Sequence, residues 1–517
     1  MNTMIRNLTL LLILVFTSSI YGFDTVELKK SGTGKIVVKA MFRTGSMHDP
    51  AGREGLSLLA ASCVAEGGTR DMTSTQIADL LYPWSASIDV TVDKEVTVFT
   101  FSFHKDHADK FLPVMTGLLL RPRFDEADFS RIKSNQQNYI DQVIRTSSDE
   151  EFSKKALEAL LFRGSPYQHP VAGTSEGISN STLSDAMQQY SEQFNRNRLT
   201  LGIAGDYSDA FLSALNAALK ELPDGPPAEP MAERPKRPDG IEVDIIAKPN
   251  ALGSAIFAGF PMDLTRSNND FAALMIANSW LGEHRKSYSR LYQKIREERS
   301  MNYGDYSYIE WYQNGGSNML PRAGYPRSSN YFSIWIRPVQ TAKGLRAQYP
   351  ELENVELGHA YFALRMAFRE MQMLIDSGMS QSEFELTRSF LRSYMKLYAQ
   401  TPEQQLAYLL DSRFYGRTDW LTEADALLAA CNADDVNRVI RQYWQTKQFY
   451  IAIVTDKSEA DPLKNSLLGG KDSPMSYSNA LQKVLGERIL EEDEIVKKYP
   501  LRATSVNIIE SEKIFRR

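Results

Sequence analysis

Six histidines and two cysteines are the side chains of this 517-residue sequence best suited to holding a metal or attacking a carbonyl. A zinc site on one helix face needs two histidines four residues apart, as in H-x-x-E-H or H-E-x-x-H. His48, His104, His107, His169, His284 and His359 form neither pattern. His104 and His107 stand in H-K-D-H just after a strand, and with no partner motif they read as part of a solvated loop. No G-x-S-x-G turn is present to raise a serine nucleophile. Cys63 and Cys431 each lie in an apolar helical pattern, far apart in sequence. Burial there disfavours the thiolate, so both read as small hydrophobes and not as a nucleophile or a bridge.

The elements that must position any site come in two similar sets. Ile36 to Phe42 (IVVKAMF) reads as a strand followed by a polar loop and the apolar helix Gly55 to Ala65 (GLSLLAASCVA). Ser254 to Phe260 (SAIFAGF) and Phe271 to Leu281 (FAALMIANSWL) repeat that order. Aromatic strands follow, VFTFSF from Val98 and YFSIWI from Tyr331, then a long helix beginning near Arg123 or Gly378. Each set closes on a strand ending in Asp, LTLGIAGD to Asp206 and FYIAIVTD to Asp456. A duplicated α+β unit, with a mixed sheet and helices mostly on one of its faces, accounts for the pattern.

Between the sets, residues 222–240 carry six prolines and almost no apolar side chains, the composition of an extended linker. Ahead of the first set, Arg6, the apolar run Leu8 to Phe16 and small residues up to Gly22 have the layout of a secretory signal peptide over residues 1–22. That run is too short to span a bilayer, and no later stretch reaches the length. The expected divisions are therefore 1–22, a first half 23–221, the linker 222–240, a second half 241–457 and a tail 458–517. With 59 Lys+Arg against 64 Asp+Glu the net charge is -5, which excludes nucleic-acid binding by bulk electrostatics. An exported protein is expected, in the periplasm by preference or in the extracellular medium.

Phe42 to Thr69 (FRTGSMHDPAGREGLSLLAASCVAEGGT), with RPRFDEADFSRIKSN, GSPYQHPVAGTSEGI and LGIAGD further on, resembles the insulinase/pitrilysin family of zinc metallopeptidases, the inverzincins. The resemblance runs through nearly all of residues 30–456 and implies two family-type halves joined as a clamshell. In the family the helix after the Asp-Pro-x-Gly loop carries H-x-x-E-H, two zinc-binding histidines and a glutamate base, and a later helix adds a carboxylate. Here Leu58 and Ser62 stand at the histidine positions and Ala61 at the glutamate position, with Gln137 or Tyr139 near the later carboxylate. Neither Leu nor Ala has a lone pair for a metal, and a lone Ser hydroxyl is a poor zinc ligand. Glu54 and Glu66 read as helix-end or surface charges.

In SYSRLYQKIREERSMNYGDYSY, Arg296 and Tyr303 fall where family members carry the Arg and Tyr that the second half brings to the zinc site. A guanidinium anchors a carbonyl or carboxylate, and a phenolic O–H donates to an oxyanion. The chain departs from the family in having Ser300-Met301 where Gly-Leu is common. Tyr303 to Tyr312 would by default be a half-buried alternating strand, able as an alternative to line a peptide groove. The resemblance therefore implies a non-catalytic, substrate-positioning subunit with no cofactor of its own. A partner bearing H-x-x-E-H would hold the zinc, and the substrate would be a peptide or unfolded protein. The alternative is a peptide-binding or assembly scaffold with the same fold and no proteolysis.

Overall fold

The computed structural model describes residues 22–231, 234–312 and 319–517, so the signal-peptide expectation falls almost wholly outside the described residues. The first half builds a five-stranded sheet from β1 (Asp24–Lys29), β2 (Lys35–Phe42), β3 (Ser87–Val92), β4 (Thr97–His104) and β5 (Leu199–Gly205). The second uses β6 (Ile241–Lys248), β7 (Ser254–Met262), β8 (Asp305–Tyr308), β9 (Asn330–Val339) and β10 (Phe449–Asp456), with β11 (Ser505–Glu510) added from the tail. Strand order is β1-β5-β2-β4-β3 in one sheet and β11-β6-β10-β7-β9-β8 in the other. Adding five to each number of the first order gives the second, so the duplication holds at the level of topology. The pairing sense repeats too: β1 is parallel to β5 as β6 is to β10, and the other neighbours within each repeat are antiparallel.

Each sheet carries its own half's helices on one face, as expected. The opposite face is covered by a helix from the other half, and the covering is reciprocal. Asp149–Leu161, a first-half helix, lies on β7 and β10. There Ser153 donates to the carbonyls of Ala255 (3.2 Å) and Ala452 (2.9 Å). Pro402–Phe414, a second-half helix, lies on β1, β2 and β5, where Leu406 and Leu410 join Val37, Met41 and Ala204 in one buried cluster. Gly202 permits that approach, because a Cβ at this position would stand 3.0 Å from the Leu410 side chain. Sheets buried on both faces demand near-continuous apolar strands, which IVVKAMF, SAIFAGF and FYIAIV are but for Lys39, whose Nζ donates to Thr100 Oγ1 at 2.9 Å.

The sequence's "tail" is part of the second half. Lys457–Gly469 is a helix packed on β6 and β10, and β11 runs parallel to β6. Beyond it the chain returns to the first half, where the carbonyls of Phe515 and Arg516 accept from Ser175 N (3.0 Å) and Glu176 N (2.9 Å). Described residues of the 222–240 linker form no helix or strand, yet the linker is pinned at its start. Pro223 O accepts from Arg196 N at 2.9 Å and Pro226 O from Arg198 Nε at 3.2 Å. Cys63 and Cys431 are buried free thiols.

Candidate functional site

The first-half site is set by its loop. Asp49, whose side chain is wholly buried, accepts from Gly55 N and Ser57 N, both at 2.7 Å, and so caps the Leu56–Glu66 helix. Gly55 has φ 100°, and a Cβ there would lie 2.5 Å from the Ala172 carbonyl oxygen, so only glycine fits. Ser57 Oγ donates to Gly45 O (3.0 Å) and accepts from Gln189 Nε2 (2.9 Å). Burial pushes the Asp49 carboxyl up to about 7, against the pull of its two N–H donors.

On that helix the family's motif positions hold a leucine, an alanine and a serine. Leu58 packs between the first-half core and the apolar cluster shared with the second half. Ala61 is completely buried and Ser62 nearly so. Burial pushes the adjacent Cys63 thiol up to about 12, which removes it as a nucleophile. The helix Glu126–Asn138 presents Phe129, Ile132 and Gln136 as its buried row, and Gln136 Nε2 donates to Gly55 O and Ala172 O, both at 2.9 Å. Gln137 instead donates to Asp141 Oδ2 (2.6 Å), and Tyr139, at the start of the following π-helical turn, is exposed. The polar group turned toward the degenerate helix is thus Gln136, signalled in the sequence by its i, i+3, i+7 spacing from Phe129 and Ile132. A leucine, an alanine, a serine and a glutamine whose amide donates to carbonyls do not fit zinc.

His104 and His107 lie with ring centroids 6.4 Å apart, while the other histidines are spread over both halves. Burial pushes His48, His169 and His359 each down to about 4. His104 Nδ1 accepts from Asp106 N at 3.3 Å, while the His107 ring stacks on Trp84 with centroids 5.5 Å apart. His284 Nδ1 pairs with the Tyr308 hydroxyl at 2.5 Å. Among the described residues, no group of three or more His, Cys, Asp or Glu side chains is placed to hold a metal ion.

In the second half Arg296 lies in the π-helical turn Tyr292–Glu297 with its side chain about one-third exposed. Its Nη1 donates to the Tyr292 hydroxyl and to Glu297 Oε1 (2.5 Å), while Nε and Nη2 hydrogen-bond nothing among the described residues. Tyr303 is 78% exposed, the most accessible aromatic of its segment, and its ring lies 5.9 Å from the Arg337 guanidinium. Arg337 Nε in turn donates to Glu150 Oε1 (2.9 Å), so a first-half carboxylate steadies the loop that carries Tyr303. Beneath the loop Asn302 Nδ2 donates to Asp305 Oδ1 at 2.7 Å and Arg337 O at 3.0 Å. Burial pushes Asp305 well above the usual carboxylate range, against the fields of Arg337 and Arg296. Ser300, where the family commonly has glycine, adopts a left-handed φ of 53°. Only Asp305–Tyr308 of the aromatic segment is a strand. All four of its residues are buried, which corrects the expected half-buried alternation, because the aromatic cluster around His284 packs on it.

Two α+β halves of one topology, with an Arg/Tyr loop in the second and an erased metal helix in the first, define a peptidase-type clamshell without its metal centre. Two family models match: "Insulinase (Peptidase family M16)" over residues 25–175, and "Peptidase M16 inactive domain" over 180–391. The chain belongs to the insulinase family of peptidases, M16, as a member without the family's zinc-binding motif. It is 26% identical over 268 residues to the "Non-peptidase homolog YmxG" of Helicobacter pylori, covering 51% of this chain and 60% of that protein. It is 22% identical over 284 residues to the "Uncharacterized zinc protease YmxG" of Bacillus subtilis, covering 54% and 66% respectively. These matches span less than two thirds of either relative. Among solved structures, a "peptidase M16 inactive domain" from Pseudomonas fluorescens superposes with a TM-score of 0.71 at 17% identity, covering 85% of this chain and 97% of that one. A chain of complex III2 from Candida albicans does so at 0.64 and 12%, covering 83% and 93%. At such identities the likeness is one of fold.

Proposed function

We propose that this non-catalytic M16-fold chain is the substrate-positioning subunit of a hetero-oligomeric insulinase-type peptidase. A family subunit bearing H-x-x-E-H supplies zinc and general base, and this chain closes the chamber around a peptide or unfolded protein. What carries the reading is the asymmetry between the halves. Hydrocarbon stands at Leu58 and Ala61, whereas Arg296 and Tyr303 keep unengaged donors at the surface. The guanidinium holds a substrate carbonyl or carboxylate, and the Tyr303 hydroxyl donates where negative charge develops on the scissile carbonyl oxygen. Both partners are exported, to the periplasm in a cell with two membranes.

Co-expression with an H-x-x-E-H relative tests this. Zinc-dependent cleavage of an unfolded peptide is expected, falling roughly 10²-fold in Tyr303→Phe, the usual loss of one oxyanion donor. Arg296→Ala should raise KM as well, because it removes a ground-state anchor. Unaltered cleavage in both variants would overturn the assigned roles. An assembly scaffold without proteolysis is the second reading, favoured by the reciprocal helix contacts that tie the halves together. It prevails if no co-expressed relative confers zinc-dependent cleavage.

A further inference from the structure

The turn that carries Arg296 has its last carbonyls claimed by residues beyond it. Ser300 N donates to Arg296 O at 2.7 Å, Met301 N to Ile295 O at 3.3 Å, and Arg299 Nη1 to Lys294 O at 2.7 Å. The last of these closes the π-helical turn Tyr292–Glu297 with a side chain, at a helix end where carbonyls otherwise lack donors. Lys294 and Arg299 thus bracket Arg296, and they are only 3% and 1% exposed. Two cations buried so deeply need anions beside them.

The tail supplies those anions. Glu487–Val496 is a helix packed on the helix Ala360–Ser377. Its Glu492 Oε2 accepts from Lys294 Nζ and from Arg299 Nη2, both at 2.9 Å, and Asp493 Oδ1 accepts from Arg299 Nε at 2.7 Å. The other two carboxylate oxygens are committed as well, Glu492 Oε1 to Arg369 Nη1 at 3.0 Å and Asp493 Oδ2 to the Tyr477 hydroxyl at 2.6 Å. Burial opposes ionisation of Glu492, yet its bonds from Lys294 and Arg299 hold its pKa down at about 2. The rigid fork of Arg299 therefore ties the Lys294 carbonyl to two carboxylates that lie 193 and 194 positions further along the chain.

Arg296 hydrogen-bonds only Tyr292 and Glu297 among the described residues, both close to it in sequence, so the turn sets the direction of its side chain. We propose that Glu492 and Asp493 are positioning residues for Arg296. The tail helix holds the turn at Lys294 and Arg299, and through the turn it fixes where the Arg296 guanidinium meets a substrate carbonyl or carboxylate. The proposal rests on the substrate-positioning role given to Arg296 above.

In the co-expressed complex, Glu492→Gln should raise KM for an unfolded peptide roughly tenfold with kcat little changed, the scale of one charge-assisted hydrogen bond. A mere loss of folded protein would lower the apparent kcat and leave KM where it was. Added to Arg296→Ala, Glu492→Gln should raise KM no further, since it acts through that side chain. Arg299→Lys keeps the charge but not the fork; it should reproduce the KM rise, and it carries the test if Glu492→Gln does not fold. Glu494→Gln, at an exposed position paired with Lys497 on the same helix, should leave KM unaltered. Amide hydrogen exchange needs only the full chain by itself: in Glu492→Gln, residues 292–301 should exchange at least roughly tenfold faster, with β2 unchanged. Unaltered KM in Glu492→Gln and Arg299→Lys, additivity with Arg296→Ala, or unaltered exchange at residues 292–301 would overturn the proposal. If no relative confers cleavage, or Arg296→Ala leaves KM unaltered, the function above fails, and the exchange result still decides whether the tail helix holds the turn.

Discussion

Asp49 shows how a residue of a peptidase motif persists for a structural reason after the metal ligands have gone. Its carboxylate caps a helix whose first N–H groups would otherwise be buried without acceptors. Because burial lifts its folded-state pKa from 3.8 to about 7, the native state holds more protons than the unfolded chain between those values. The stability it contributes is full below about pH 4 and is lost as pH rises to about 7. His48, His169 and His359 act in the opposite sense. With pKa values pushed from 6.5 to about 4, they bind protons better when unfolded, and stability rises over that window. In the wild type the two trends offset each other. Asp49→Asn keeps only one acceptor oxygen and does not titrate, so its penalty in melting temperature should be largest at about pH 4 and below and shrink by pH 8. A penalty that grew with pH would contradict the burial-dominated assignment.

At the scale of elements, the reciprocal pair of helices decides how the halves meet. Leu410 of Pro402–Phe414 is 2% exposed and lies on the first-half sheet against Gly202. Leu410→Ala should cost about 2–5 kcal/mol in denaturant-induced unfolding, as expected of a core leucine, although the residue belongs by sequence to the other half. Gly202→Val should also destabilise, because its Cβ would have to displace both Leu406 and Leu410. A loss under about 1 kcal/mol for Leu410→Ala would mean that the helix docks loosely and that the halves can open. The strands legible in the sequence were those with long apolar or aromatic runs, β2, β4, β5, β7, β9 and β10. Short strands such as β1 and β3 escaped notice, since a run of six residues holds few repeats of any period, whereas β8 lies within the run Tyr303 to Tyr312 that read as a strand.

Across the whole molecule, a buried ion network binds the two halves. Arg327 of the second half donates to both carboxylate oxygens of Asp93 at 2.7 Å and to Glu158. Ser328 N and Oγ donate to Glu95 Oε1 at 2.5 and 2.6 Å, and Lys94 Nζ donates to Tyr167 O (2.8 Å) and His169 O. Burial alone would raise the Glu158 pKa, but Arg327 and Lys94 hold it down at about 2. Arg327→Ala strands two buried carboxylates at once and should cost roughly 3–5 kcal/mol in a guanidinium-chloride unfolding midpoint, with little relief from added salt. A loss under about 1 kcal/mol would show the network to be neutral to stability.

The sequence by itself determined the duplication, the linker and the loss of the metal site. Each of these is a matter of local composition, spacing or residue chemistry: apolar runs in a repeated order, six prolines together, and no lone pairs at Leu58 and Ala61. It also named Arg296 and Tyr303, though not that Tyr303 would be exposed while its neighbours Tyr306 and Tyr308 are buried. Tertiary structure alone decided which half's helix covers which sheet, that the tail completes the second sheet, and that Gln136 faces Gly55. It also brought Arg327 to Asp93 across 234 positions of sequence. Contacts of that separation have no local pattern, because they are selected by packing two sheets against shared helices, and only the folded chain brings their partners within reach of one another.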